Sequence, residues 1–312
     1  MKILIGSCGG LTGSYLSRKF KEIPNICVVG ADLSSENATK FFVDEFYLLP
    51  PANSTDYVDK LIELLMKAEI DAYIPTHSKE IKKVSQFEDV IKHSWKGKVL
   101  VSPYHSYEQL DEKQIANTNL KRIGVPVPSM YKNEEIPLKF PVFVKPNVGS
   151  GSSGSYIVSS KQEYIERIQQ NKYSTAYEFI DGKEFTVDCM FDDKGKLIAF
   201  NQRERVKNMG GAVIITRNDY SYDIKPYIDR IADEYCIKGC VNFQYILKDN
   251  IPYFIDVNLR YASGGLPLTV ESGINVPQIM LDIWNGKDKF NINSCPQPGK
   301  IMYRYFCELY EG

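Results

Sequence analysis

The chain has 312 residues, which predicts roughly two domains at the usual ~150 residues each and ample core. Hydrophobic residues make up 43% and charged residues 25%, the composition of an ordinary globular protein. The net charge of −1 provides no whole-molecule field to gather nucleic acid or an anionic membrane. No apolar run approaches the ~20 residues that span a bilayer, and the first strand reaches Gly6 too soon for a signal-peptide core. Seven scattered cysteines read as free thiols, so the expected compartment is the cytoplasm. With only three histidines, His-centred metal or triad chemistry has little to draw on.

In chain order, Lys2–Gly6 reads as a strand, Gly13–Lys21 as a helix and Ile26–Ala31 as a second strand. Tyr57–Ala68 reads as a helix, with Val58, Leu61, Ile62 and Leu65 at helical spacing. Asp71–Pro75 and Lys98–Val101 are short apolar strands. This alternation predicts a parallel sheet covered on both faces. Gly6, Gly9, Gly10 and Gly13 open the first helix, and Asp32 ends the second strand, an arrangement close to a dinucleotide fingerprint. The glycines are out of the G-x-G-x-x-G register, however, so a tight turn is the plainer reading.

Asp111–Gly124 predicts a helix capped by Asp111, with Gln114 at the capping-box position and Gly124 then Pro126 at its end. Beyond it the pattern becomes hairpins with interspersed helices. Glu184–Phe191 pairs with Lys196–Arg203, and Val241–Lys248 with Pro252–Val257. The helices are Lys161–Asn171, capped by Ser160, and Ile224–Lys238. A parallel α/β region followed by an α+β region is the expected fold class.

Three stretches point to chemistry. Lys145 ends an apolar strand and precedes Gly149-Ser150-Gly151-Ser152-Ser153-Gly154. Such a loop is either a hairpin tip or a flap whose backbone N–H groups close over phosphates. Tyr177 to Thr186 is either a turn with exposed acids or a connector offering backbone groups to an adenine edge, with Glu184 for ribose hydroxyls. Asp256, Asn258 and Arg260 alternate, so they share a face of an otherwise apolar strand, and polar residues there call for a partner such as a hard cation. Gln244 joins that face only if it pairs with Asp256, which a three-residue loop, Asp249-Asn250-Ile251, would bring about.

The order "DEKQIANTNLKRIGVPVP", "FPVFVKP" with "GSGSSG", "YEFIDGKEFTVD" and "VNFQYIL…YFIDVNLR" resembles the ATP-grasp superfamily, on its carbamoyl-phosphate-synthase-like branch. The resemblance implies an N-terminal Rossmann-like domain over residues 1–110, followed by an ATP-grasp fold of two α+β subdomains clamping a nucleotide, 111–183 and 184–312. It implies Lys113 and Lys145 on the ATP phosphates, Gly149, Ser150, Gly151, Ser152 and Ser153 as the flap, and Glu178, Phe179 and Ile180 as the adenine hinge. Glu184 would bind ribose, and Phe143 and Ile246 would pack the purine. Gln244, Asp256 and Asn258 would hold Mg2+ (or Mn2+), with Arg260 on the transferred phosphoryl group and Lys145 beside it in catalysis. The family commonly has glutamate at the positions of Asp256 and Gln244, so one metal is expected to be better held than a second.

The implied activity is an ATP-dependent carboxylate–amine (or thiol) ligase that forms a carbon–nitrogen bond through an acyl phosphate. Its substrates would be an amino acid or similar small carboxylate and an amine. No nucleic acid or membrane partner is expected, and a homodimer is compatible. A nucleotide-binding partner subunit without turnover and an NAD(P)-dependent oxidoreductase are the alternatives. Arg203, Arg205, Lys207 and Arg217, with Ser263-Gly264-Gly265, are candidate contacts for the carboxylate.

Overall fold

A computed structural model describes residues 1–131, 136–147, 154–171, 173–292 and 296–311. The first part runs β1 (Lys2–Ile5), α1 (Leu11–Lys21), β2 (Cys27–Asp32), β3 (Glu45–Leu48), α2 (Tyr57–Lys67), β4 (Ala72–Ile74), α3 (Ser78–Gln86), α4 (Glu88–Ser94) and β5 (Lys98–Val99). Its strands form a parallel sheet in the order β3-β2-β1-β4-β5. The run Ile3-Leu4-Ile5 shows why: Ile3 and Ile5 enter one core cluster and Leu4 the other, so the strand is buried on both faces.

Next come α5 (Tyr104–Leu110), α6 (Lys113–Arg122), β6 (Met130–Tyr131), β7 (Val142–Pro146), β8 (Tyr156–Val158), α7 (Lys161–Gln170) and β9 (Ser174–Glu178). Here four strands form a small antiparallel sheet, β6-β9-β7-β8, over a minor core of Val142, Val144, Val158, Tyr164 and Ala176. The helix expected over Asp111–Gly124 is broken at its start. Glu112, not Asp111, occupies the cap position, with no side-chain cap bond. Asp111 pairs instead with Lys82 at 2.7 Å, and the Gln114 amide bonds Thr175. Ser160 caps α7 as expected, accepting from the Glu163 N–H at 3.2 Å.

The last part comprises β10 (Lys183–Phe191), β11 (Leu197–Met209), β12 (Ala212–Asn218), α8 (Lys225–Tyr235), β13 (Gly239–Lys248), β14 (Ile251–Asn258), α9 (Leu266–Glu271), α10 (Val276–Trp284) and β15 (Ile301–Tyr303). Its six strands lie in the order β14-β13-β10-β11-β12-β15, all antiparallel. Helix α8 covers this sheet with Ile228, Ile231, Ala232 and Tyr235 and ends on Cys236 in the left-handed conformation (φ 52°). Among the described residues no helix is long and apolar enough to cross a membrane.

Candidate functional site

Side-chain alternation makes the six-stranded sheet two-faced. Phe185, Val187 and Cys189 of β10, Phe243 and Tyr245 of β13, and Phe254 and Val257 of β14 all enter one core cluster, and Phe185 stacks on Tyr245 with ring centroids 5.0 Å apart. The opposite face is polar. Thr186 pairs with Arg203 on one side and Gln244 on the other, Asp188 pairs with Asn242, Gln244 with Asp256, and Asn242 with Asn258. The pairing of Gln244 with Asp256 agrees with the sequence reading, but the expected cause is wrong. The loop has two residues, Asp249 and Asn250, both at positive φ (49° and 62°), and Lys248 pairs directly with Ile251. This matches the hairpin turn with both central residues left-handed. That turn alone would set Gln244 opposite Ile255. A register shift between Gln244 and Tyr245 makes Ile255 the extra residue of a β-bulge and carries Asp256 into place.

The bulge has a second effect: the carbonyl of Ile255 accepts the Nζ of Lys145 at 2.7 Å. The same ammonium lies 4.8 Å from the centroid of the Tyr177 ring. Removal from water pulls the Lys145 pKa from its ordinary 10.5 down to about 8, with Lys113 pushing the same way and Asp256 opposing. Arg260 is likewise lowered by burial, against the pull of Asp256. Its Nη2 donates to Asn258 Oδ1 at 2.9 Å, and Asn258 Nδ2 donates to Asp256 Oδ2 at 3.2 Å.

Two cavities meet at this face. The first, about 650 Å³, is of a size that suits small-molecule ligands. Lys113, Phe143, Lys145 and the strand-end residues Glu178, Phe179 and Ile180 line it, with Glu184 and Ile246. Gly149, Ser150, Gly151, Ser152 and Ser153 lie outside the described residues. The second cavity, about 740 Å³, is lined by Arg203, Arg205, Arg260 and Gly264 on the sheet side, and by Gly9, Asp32 and His77 from loops of the parallel sheet. Gln244 and Asp256 line both. Asn258 lines neither and stands behind Asp256.

The four basic candidates for the carboxylate separate. Arg203 is 1% exposed and holds Asp188 through Nε and Nη2 at 2.9 and 3.0 Å, and Thr269 Oγ1 donates to the same carboxylate at 2.5 Å. Arg205 pairs with Glu184, and both arginines face the second cavity. Lys207 and Arg217 do not line it. Lys207 is exposed, and Arg217 pairs with Glu204. The glycine loop after β1 is a tight turn. The Gly9 N–H donates to Asp32 Oδ2 at 2.7 Å, and a Cβ at Gly13 would collide with the Cys8 backbone.

The Ile255 carbonyl, the Tyr177 ring and the Asp188 and Thr269 partners of Arg203 escape sequence reading. For the Ile255 bulge there is one signal: Phe254 and Asp256 have the same parity, which a regular strand could not divide between core and site.

Among the described residues no three His, Cys, Asp or Glu cluster as a metal cage. The donors beside Asp256 are amides; among the described residues the Gln244 side chain makes no hydrogen bond, leaving its oxygen available, while Asn258 Oδ1 accepts from Arg260. The Asp256 carboxylate and the Gln244 amide at the cavity wall, with the Asn258 amide behind them, fit a hard cation that also binds anionic oxygens of its ligand.

A family model described as "ATP-grasp in the biosynthetic pathway with Ter operon" matches residues 174–303, and one described as "PylC-like, N-terminal domain" matches residues 3–94. The carbamoyl phosphate synthase arginine-specific large chain of Geobacillus stearothermophilus is 25% identical over 213 residues, covering 61% of this chain and 20% of that protein. The chain thus spans about a fifth of that relative's length. The 3-methyl-D-ornithine–L-lysine ligase of Methanosarcina barkeri is 23% identical over 277 residues, covering 88% of this chain and 70% of the ligase. The biotin carboxylase domain of Hydrogenobacter thermophilus 2-oxoglutarate carboxylase, crystallised with MgADP, ADP and bicarbonate, shares the fold. Its TM-score is 0.74 at 15% identity, over 95% of this chain and 72% of that one. The PylC-like model thus matches over the parallel sheet and the ATP-grasp model over the six-stranded antiparallel one, and the ATP-grasp likeness read from the sequence rests on these two matches; the biotin carboxylase domain shares the fold of both parts.

Proposed function

We propose that the chain is an ATP- and Mg2+-dependent carboxylate–amine (or thiol) ligase acting through an acyl phosphate on an amino acid or similar small carboxylate. The observation that carries this reading is the shared wall. Gln244 and Asp256 belong to both cavities, with Lys145 on one side and Arg260 on the other. A nucleotide in the first cavity would set its phosphates against Lys145 and Lys113 and its terminal phosphoryl group at the wall. Glu178, Phe179 and Ile180 would flank the base with Phe143 and Ile246, and Glu184 would take the ribose. The named ligase relative supports the carbon–nitrogen chemistry.

A carboxylate oxygen in the second cavity attacks the γ-phosphorus while the bond to the ADP oxygen breaks. An amine then attacks the acyl carbon, and phosphate leaves with the bonding pair. Lys145 and Arg260 offset the charge that spreads over the transferred group, and the cavity walls hold the two reactants in line. Mg2+ held by Asp256, Gln244 and Asn258 would neutralise phosphate charge, and Mn2+ suits the same oxygens. We set the domain limits at 1–110, 111–183 and 184–312, a division supported by the three separate sheets.

ADP release from Mg-ATP, measured over a panel of amino acids with and without amines, tests the reading. Release that depends on one carboxylate is expected. The single carboxylate of the metal set favours one rival, a nucleotide-binding subunit. Tight Mg-ATP binding with no ADP from any pair would support that rival, and absence of Mg-ATP binding would overturn both.

A further inference from the structure

Arg205 stands between the two cavities, ion-paired on one side and hydrogen-bonded on the other. Its Nε lies 2.8 Å from Glu184 Oε1, and Glu184 lines the first cavity. Its Nη2 donates to the Gly211 carbonyl at 3.0 Å and its Nη1 to Thr186 Oγ1 at 3.4 Å. The other Glu184 oxygen accepts from Asn208 Nδ2 at 3.3 Å. Asn208 and Gly211 belong to the tip of the β11–β12 hairpin, and Gly210, Gly211, Ala212 and Val213 of that tip wall the second cavity. The carboxylate that faces one cavity is thus held by the same tip that borders the other.

We propose that Arg205 is a positioning residue that couples capture of a ribose at Glu184 to the setting of the 208–213 tip over the second cavity; this rests on the nucleotide reading of the first. The Glu184 side chain is 31% exposed and that of Arg205 only 7%. A carboxylate has room for further donors, so ribose hydroxyls can bond Glu184 while the charge-assisted contact with Arg205 persists. The long Asn208 bond is the one that yields or tightens. Fixing Glu184 fixes the guanidinium fork, and the fork fixes Gly211. The coupling is reciprocal, so a ligand that seats the tip also favours the nucleotide.

The test is amide hydrogen exchange of the full chain with Mg-ADP and with Mg-tripolyphosphate, which has the phosphates but no ribose. Mg-ADP should slow exchange over 208–213 by about fivefold or more, and tripolyphosphate should not. Arg205→Lys keeps a cation at Glu184 but loses the fork. It should still show the rise in melting temperature with Mg-ADP yet lose the response of the tip, and Asn208→Ala should weaken that response. Mg-ADP that raises the melting temperature while leaving 208–213 unchanged, or an equal response to tripolyphosphate, overturns the coupling alone. No Mg-ADP effect on melting overturns the nucleotide reading, and the coupling with it.

Discussion

Lys145 holds its place through one carbonyl, one ring and the field of Asp256, and it is a lysine that loses its proton easily. In the unfolded chain it would titrate near 10.5, and in the fold near 8. Between those values the unfolded state binds more protons, so this group's contribution to stability rises with pH across that window. Nucleotide affinity has the opposite sign, because a polyphosphate binds the charged ammonium. Calorimetry should find Mg-ADP affinity constant below about pH 8, then falling by up to about tenfold per unit above it. Replacing Lys145 by alanine should remove that slope and weaken binding by about 1.5–3 kcal/mol, with the thermal melt still cooperative. Asp188 is a different case. Its loss strands the buried Arg203, and Asp188→Ala should cost about 3–5 kcal/mol in denaturant unfolding. Lys145 could be picked out from the sequence because it ends an apolar strand. Its partner could not, since a backbone carbonyl carries no residue-type signature.

The β13–β14 hairpin shows how an element can be read correctly for a mistaken reason. Alternation put Asp256, Asn258 and Arg260 on one face, with Gln244 joining them only by pairing with Asp256, and the structure makes that pair. The register, however, comes from an extra residue rather than a longer loop. The two left-handed residues Asp249 and Asn250 are compatible with either, so composition at the turn could not decide. The bulge also separates two tasks that a deletion can test. Without Ile255 the ladder becomes regular and Asp256 still falls opposite Gln244, but the carbonyl that holds Lys145 is gone. A chain lacking Ile255 should keep the Mg2+ dependence of ADP binding while its affinity drops, as titrations with and without Mg2+ would show. Equal loss of both would mean that the bulge orients the carboxylate as well. At the start of α6, by contrast, Asp111 and Glu112 are both plausible caps, and the choice fell to tertiary contact: Lys82 takes Asp111.

For the molecule as a whole, the parallel sheet was legible because its central strands β1, β2 and β4 are buried on both faces and read as unbroken apolar runs. Short partners such as β3 and β15, half exposed and lacking strong alternation, carry no comparable pattern. A ligand that bridges the small sheet and the six-stranded sheet should stabilise the fold by mass action. Mg-ADP at 100 times its Kd is worth about 2.7 kcal/mol and should raise the melting temperature, whereas NAD(P) should not. An equal rise with NAD(P) would shift attention to the glycine turn at Gly9 and Asp32. The second cavity has one wall of rigid sheet and another of loops from the parallel sheet. On the proposed reading, exchange of those loops would change which acid is admitted while the strand-borne residues set against the phosphates stay as they are, so descendants of one scaffold could diversify their choice of cargo without relearning the reaction.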